Sequence, residues 1–372
     1  MRHAALLAFA LVVAGTIGWG DDAGKLLRAD HYVRVKSIVP TIAGQTAQLY
    51  VREVSLSETV LRGKAADRVV LFIHGAGTPA EVAFDVPYQD YSWMAFLAQA
   101  GYDVFSMDMT GYGRSTRPLV MNDPCNLSAE QQKSLFGSVC KPSHGHNVTT
   151  YPSDWHDIGA VVDYLRELRN VEKVSLIGWS MGGPRAGGYA ATHPEKVHKL
   201  VLLAPGYRRA SQVTQPVQLP AAGPVYGTQT RAEFDANWDR QVGCPDQVDP
   251  GVRDIVWADM QASDPQAATW GAGARRAPHV SAWGWDETAV KKMKTPALLV
   301  AAPHDQQVAP SAVKALYDDL ASTEKIYLDI ACTSHNALWE KNHLLLFRAS
   351  LDWLKTGVLQ GNRAGVLRMG YH

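Results

Sequence analysis

The sequence predicts a doubly wound α/β fold on a mostly parallel sheet. Three observations carry that expectation. From Asp67 onward, short continuous apolar runs alternate with helical segments, as strands buried on both faces do when helices connect them. One run, Lys173–Gly178, passes through Gly178-Trp179-Ser180-Met181-Gly182 straight into a helical segment. The 372 residues, 46% hydrophobic and 19% charged, supply a core large enough for such a sheet and argue against disorder or a coiled coil.

The elements follow in order. Arg2 and His3 precede an apolar run from Ala4 to about Ile17, with Gly18 and Gly20 as small residues before Asp21-Asp22. This has the make-up of an export signal, and it is shorter than the roughly 20 residues a bilayer span needs. The mature protein is therefore expected to be secreted or periplasmic, with no stable membrane span after signal removal; an uncleaved N-terminal anchor is the alternative. Two alternating stretches, His31–Val39 and Thr46–Ser55, read as an antiparallel start. Strands are then expected at Arg68–Ile73, Tyr102–Met107, Lys173–Gly178, Lys199–Leu203, Ala297–Ala302 and Lys325–Ile330. Helices are expected at Trp93–Ala100, Asp154–Leu168, Met181–Thr192, Ser311–Leu320 and His343–Lys355.

Two stretches break the rhythm. Arg117–Tyr151 has little periodicity and reads as a long loop carrying Cys125 and Cys140. Residues 207–286 are rich in Pro, Gly, Gln and Trp, with short helices at Arg231–Gln241 and Pro250–Gln261, and read as a cap or lid. The expected division is a signal over 1–20, a core over 21–206 and 287–372, and a cap insertion over 207–286. In an exported chain the four cysteines are expected to be paired. Four allow three connectivities, and proximity favours Cys125 with Cys140 and Cys244 with Cys332.

With 36 Lys+Arg against 36 Asp+Glu, nothing points to a nucleic-acid footprint or a polybasic membrane face. A small molecule is the expected partner. His144-Gly-His146 and Asp154-Trp-His156-Asp157 lack the spacing of a metal site, and no phosphate-binding glycine loop is present, so no metal and no cofactor is assigned.

The chemistry is read from the G-x-S-x-G turn. A nucleophile on a sharp strand-to-helix turn needs small neighbours, and Gly178 and Gly182 provide them for Ser180. The next helix starts beneath it, so the Met181 amide is one candidate oxyanion donor. Asp305 follows the run Ala297–Ala302 and is the candidate orienting carboxylate; Asp286, Asp318 and Asp329 are its competitors. His335 follows Lys325–Ile330 and is the candidate general base. After Arg68–Ile73 comes His74-Gly75-Ala76-Gly77, where Ala76 is the second candidate oxyanion donor and His74 reads as structural. Asp108, in Asp108-Met-Thr-Gly111-Tyr-Gly113, reads as support for the active-site floor.

Through His74-Gly75, Asp108 with Gly111-Tyr-Gly113, Gly178-Trp-Ser180-Met-Gly182, Asp305 and His335, the chain resembles the α/β-hydrolase-fold serine hydrolases. The resemblance covers roughly 67–206 and 295–357. It implies Ser180 as nucleophile, Asp305 and His335 as its relay, Ala76 and Met181 as oxyanion donors, and 207–286 as a cap. The chain lacks the H-G-G-G stretch of some lipase and esterase branches, and its cysteine-bearing loop is unusually long. Members that open epoxides or remove halides carry a carboxylate at the turn, whereas Ser180 points to acyl transfer. Hydrolysis of a carboxylic ester is the expected activity. Lactone, amide and carbon–carbon bond hydrolysis use the same parts, while acyl transfer to an alcohol or a non-catalytic binding role are readings of another class. Trp179, Trp238, Trp257 and Trp283 are candidate substrate contacts for a small to medium apolar or aromatic ester, or else the cap's own core.

Overall fold

Strand residues of alternating sequence position go to opposite faces, and in this protein both faces are dry. In Val69–Ile73, Val70 and Phe72 join one buried apolar cluster while Val69, Leu71 and Ile73 join the other. The computed structural model describes residues 24–371 apart from 63–66, 211–219, 221, 265–272 and 276–283. The expected export signal therefore lies outside the described residues.

The strands are β1 (Leu26–Lys36), β2 (Thr46–Leu56), β3 (Val69–Ile73), β4 (Asp103–Met107), β5 (Val174–Trp179), β6 (Val197–Leu203), β7 (Gly227–Gln229), β8 (Gly273–Arg275), β9 (Ala297–Ala301), β10 (Lys325–Ile330) and β11 (Gly365–Met369). Among the described residues, nine form one sheet in the order β1-β2-β4-β3-β5-β6-β9-β10-β11, and β7 and β8 make a separate antiparallel pair. β1 and β2 are antiparallel to each other, β2 is antiparallel to β4, and the remaining neighbours are parallel. This is the α/β hydrolase arrangement expected from the sequence.

One face is covered by the helices Trp93–Gln99 and His343–Thr356, which bring Trp93, Leu97, Phe347 and Trp353 into the core. The other is covered by Tyr151–Arg169, Gly182–Thr192 and Pro310–Asp319, through Ile158, Leu165, Ala186 and Leu316. The structure differs from the sequence reading in several places. The helix expected from Asp154 starts at Tyr151, because Thr150 and Ser153 form a reciprocal capping box. The expected loop 117–151 holds a helix, Ala129–Phe136, which Ser128 caps at its start and Gly137 closes in the left-handed conformation. The first strand begins at Leu26 rather than His31. The edge strand β11 was not expected; it is half exposed, so its run lacks the apolar continuity of a central strand.

Both cysteine pairs are disulfides, Cys125–Cys140 within the long loop and Cys244–Cys332 between the 207–286 segment and the chain after β10. No helix among the described residues is long and apolar enough to cross a membrane.

Candidate active site

Ser180 sits where β5 turns into the helix Gly182–Thr192, with φ of 58° in the left-handed region that non-glycine residues rarely occupy. The turn is held on both sides: Ser180 N donates to Leu203 O at 2.9 Å, and Ser180 O accepts from Gly183 N at 2.9 Å and Gly206 N at 3.2 Å. Glycine is required at its flanks. A Cβ on Gly178 would lie 2.4 Å from Gly182 O, and one on Gly182 would lie 2.1 Å from Ile73 O.

The loop after β9 carries Asp305 and the loop after β10 carries His335, and His304 N donates to Thr333 O at 3.0 Å to stitch the two together. Oδ1 of Asp305 accepts from the amides of Gln307 at 2.7 Å and Val308 at 2.8 Å. This fixes the carboxylate so that Oδ2 faces His335 Nδ1, at 2.8 Å. The other ring nitrogen of His335 is left for the cavity that His335 and Ser180 both line. Trp179 Nε1 donates to His335 O at 2.8 Å and ties the base's loop to the turn. The competing acids are committed elsewhere. Asp286 caps Glu287–Val290, Asp318 pairs with Lys314, and Asp329 accepts from Tyr371.

Two buried residues near this site, Glu340 and Arg185, were not read from the sequence. Glu340 is fully buried and accepts from Ser334 N at 2.7 Å, from Ser334 Oγ, and from Gln247 Nε2 at 2.9 Å. Burial pushes its carboxyl up to about 7 against those three donors. It thereby joins the 207–286 segment to the residue before His335, close to the Cys244–Cys332 bridge. A lone acid after Leu338-Trp339 gives no sequence signal of this.

On the opposite wall, Ala76 and Thr78 line the cavity in the loop after β3. His74 is buried and kept neutral by desolvation and by the Arg185 charge; its Nδ1 donates to Gly75 O at 2.7 Å and its Nε2 accepts from Met109 N at 3.1 Å. Arg185, also fully buried, was not singled out in the sequence. Its Nε donates to Asp154 Oδ2 at 2.7 Å, and its Nη1 donates to the carbonyls of both His74 and Gly75 at 3.0 Å. Because the Gly75–Ala76 peptide is trans, fixing the Gly75 carbonyl toward Arg185 turns the Ala76 N–H the opposite way. Met181 is the residue before the first turn of Gly182–Thr192. Asp108 accepts from Ala80 N at 2.8 Å and Arg114 N at 3.0 Å, while burial raises its carboxyl to about 6.

The cavity measures about 70 Å³, and Gln229, Phe234, Asn237 and Met260 of the 207–286 segment contribute to its lining. Of the four tryptophans read as substrate contacts, Trp179 lines it. Trp238 and Trp257 do not belong to that lining: they pack on Phe234 at ring distances of 5.6 and 5.5 Å, and Trp238 also meets Trp339. Trp238 belongs to the buried apolar cluster, and Trp257, partly buried, packs against it. Trp283 lies outside the described residues.

A profile of the alpha/beta hydrolase fold family matches residues 68–342. Among curated proteins, a 2-hydroxy-6-oxononadienedioate/2-hydroxy-6-oxononatrienedioate hydrolase of Cupriavidus pinatubonensis is 30% identical over 150 residues, 39% of this chain and 38% of the relative. Bifunctional epoxide hydrolase 2 of Sus scrofa is 24% identical over 177 residues, 45% of this chain and 27% of the relative. The chain thus spans less than half the length of these curated relatives. Among solved structures, a serine hydrolase involved in carbazole degradation superposes with a TM-score of 0.51 at 17% identity, covering 87% of this chain and 99% of the other. An esterase from Thermogutta terrifontis gives 0.51 at 16% identity, over 87% and 98%. These two share the fold.

Proposed function

The chain belongs to the alpha/beta hydrolase fold family, and on that premise we propose that it is a serine hydrolase of carboxylic esters. The observation that carries the reading is the 2.8 Å bond between Asp305 and His335 beside a cavity shared by His335 and Ser180. His335 takes the Ser180 proton as Oγ attacks the ester carbonyl, and Asp305 holds the imidazole's tautomer and stabilises its charge. The amides of Ala76 and Met181 stabilise the tetrahedral oxyanion. His335 returns the proton to the departing alcohol, leaving a Ser180 acyl-enzyme that water then hydrolyses by the same relay. Residues 207–286 act as the cap over this site.

The test is steady-state hydrolysis of p-nitrophenyl acetate and octanoate by the purified protein and by Ser180→Ala. Turnover that falls by at least about 10³-fold in the variant supports the mechanism, and turnover surviving the substitution overturns it. The Cupriavidus relative's name favours a second reading, hydrolysis of a carbon–carbon bond by the same serine. Cleavage of a vinylogous diketone with no ester turnover would select it. We further propose export to an oxidising compartment, where two disulfides are stable. Cell fractionation that finds the protein only in the cytoplasm would reject this.

A further inference from the structure

Two amides of the 207–286 segment that lie off the cavity lining, Gln241 and Gln247, are spent on the protein itself. Gln247 donates to Glu340 at 2.9 Å and accepts from Gly243 N at 2.8 Å, and Gln241 donates to Asn237 O at 2.8 Å and accepts from Gln306 N at 3.3 Å. Amides that face the cavity are not. Gln229 and Asn336 both line it at 8% and 5% exposure, with no side-chain hydrogen bond among the described residues. Asn237 lines it too, and its Oδ1 is buried with no partner among the described residues. Thr78 and Gln307 add further polar atoms to a lining whose apolar side chains include Phe234, Met260, Trp179 and Trp339.

An unpaired buried polar atom costs free energy, and Asn237 Oδ1 is one; with the unbonded amides of Gln229 and Asn336 on the same small cavity, it calls for an occupant that offers hydrogen-bonding groups. We propose that the acyl group seated against Ser180 is short and oxygenated, carrying a hydroxyl or carbonyl that Asn237, Gln229 and Asn336 recognise. The proposal rests on the serine-hydrolase reading. It replaces the apolar or aromatic ester expected from tryptophan content, since Trp238 is buried in the apolar cluster and Trp257 packs against it rather than on the cavity. A cavity of about 70 Å³ accommodates only a few heavy atoms beyond the carbonyl.

The experiment compares kcat/KM for p-nitrophenyl butyrate and p-nitrophenyl 3-hydroxybutyrate in the wild type, Asn237→Leu and Gln229→Met. The leaving group is common to both esters, and the variants control for intrinsic reactivity. The wild type is expected to prefer the hydroxylated ester by about 10- to 100-fold, and each variant to lose most of that preference. Gln229→Met keeps the test open if Asn237→Leu does not fold. Equal rates on the two esters in the wild type, or a preference unchanged in the variants, would overturn the polar pocket while leaving Ser180-dependent turnover intact. Turnover of both esters that survives Ser180→Ala would reject the serine mechanism, and the acyl-pocket assignment with it.

Discussion

Arg185 offers the sharpest separation of stability from catalysis. It is fully buried and makes one hydrogen bond to Asp154 and two to the carbonyls of His74 and Gly75. Arg185→Met strands a buried carboxylate, which costs about 3–5 kcal/mol. Adding Asp154→Asn removes that charge, so the double variant is expected to recover part of the loss. The two carbonyls remain unheld by the guanidinium in both variants, and Gly75 O keeps only the bond from His74. On the proposed role of the Ala76 amide as oxyanion donor, kcat is expected to approach the loss seen when such a donor is removed, ~10²–10³. The assays are thermal unfolding of both variants, kcat on an activated ester, and affinity for a trifluoromethyl ketone that mimics the tetrahedral adduct. Stability that recovers in the double variant while kcat and ketone affinity stay low is the expected pattern. A double variant whose kcat lies within about threefold of the wild type would refute the reasoning.

Three further outcomes are expected. The Glu340 carboxyl is raised from 4.5 to about 7 in the fold, so the unfolded chain ionises first, and its contribution of ~3 kcal/mol is present below pH 4.5 and lost as pH rises to about 7. The melting temperature of Glu340→Gln should therefore depend less on pH across 5 to 7.5 than the wild type's, and identical slopes would contradict this. Reduction of Cys244–Cys332, which closes a separation of 88 residues, should cost roughly 4–5 kcal/mol and lower activity, because the bridge lies three residues before His335. Unchanged activity after mass spectrometry confirms full reduction would count against it. Gly75→Ala places a Cβ 2.9 Å from Ser180 Cβ and 3.1 Å from Trp179 O, so kcat should fall at least about tenfold for a stability cost of ~1–3 kcal/mol; wild-type kcat would show that the loop yields freely.

The turn at Ser180 was legible because its signature is contiguous in the sequence: both glycines of one short motif meet backbone oxygens that no Cβ could approach, Gly178 within the turn and Gly182 against Ile73 of β3. Asp305 and His335 were legible by position, each just beyond an apolar run, where the structure places the ends of β9 and β10. Arg185 with Asp154, and Glu340 with Gln247, were not legible, since each contact joins residues far apart in sequence and neither partner belongs to a spaced motif. The direction of Trp238 and Trp257 was equally hidden, because tryptophan content does not say which way a side chain on a cap helix points. Gln229 and Asn237 carry no sequence signal either; the fold of the 207–286 segment puts them on the same cavity as Ser180. β11 was missed for a simpler reason, as an edge strand with one face in solvent lacks the apolar run that marked its neighbours.

The central claim is that Ser180 carries the acyl group. The most direct measurement is to quench the protein during turnover of a p-nitrophenyl ester and map the acyl adduct by peptide mass spectrometry, with Ser180→Ala alongside. A single adduct on the peptide containing Ser180, absent from the variant, is the predicted result. An adduct on another side chain, or product formed by Ser180→Ala at the wild-type rate, would contradict it.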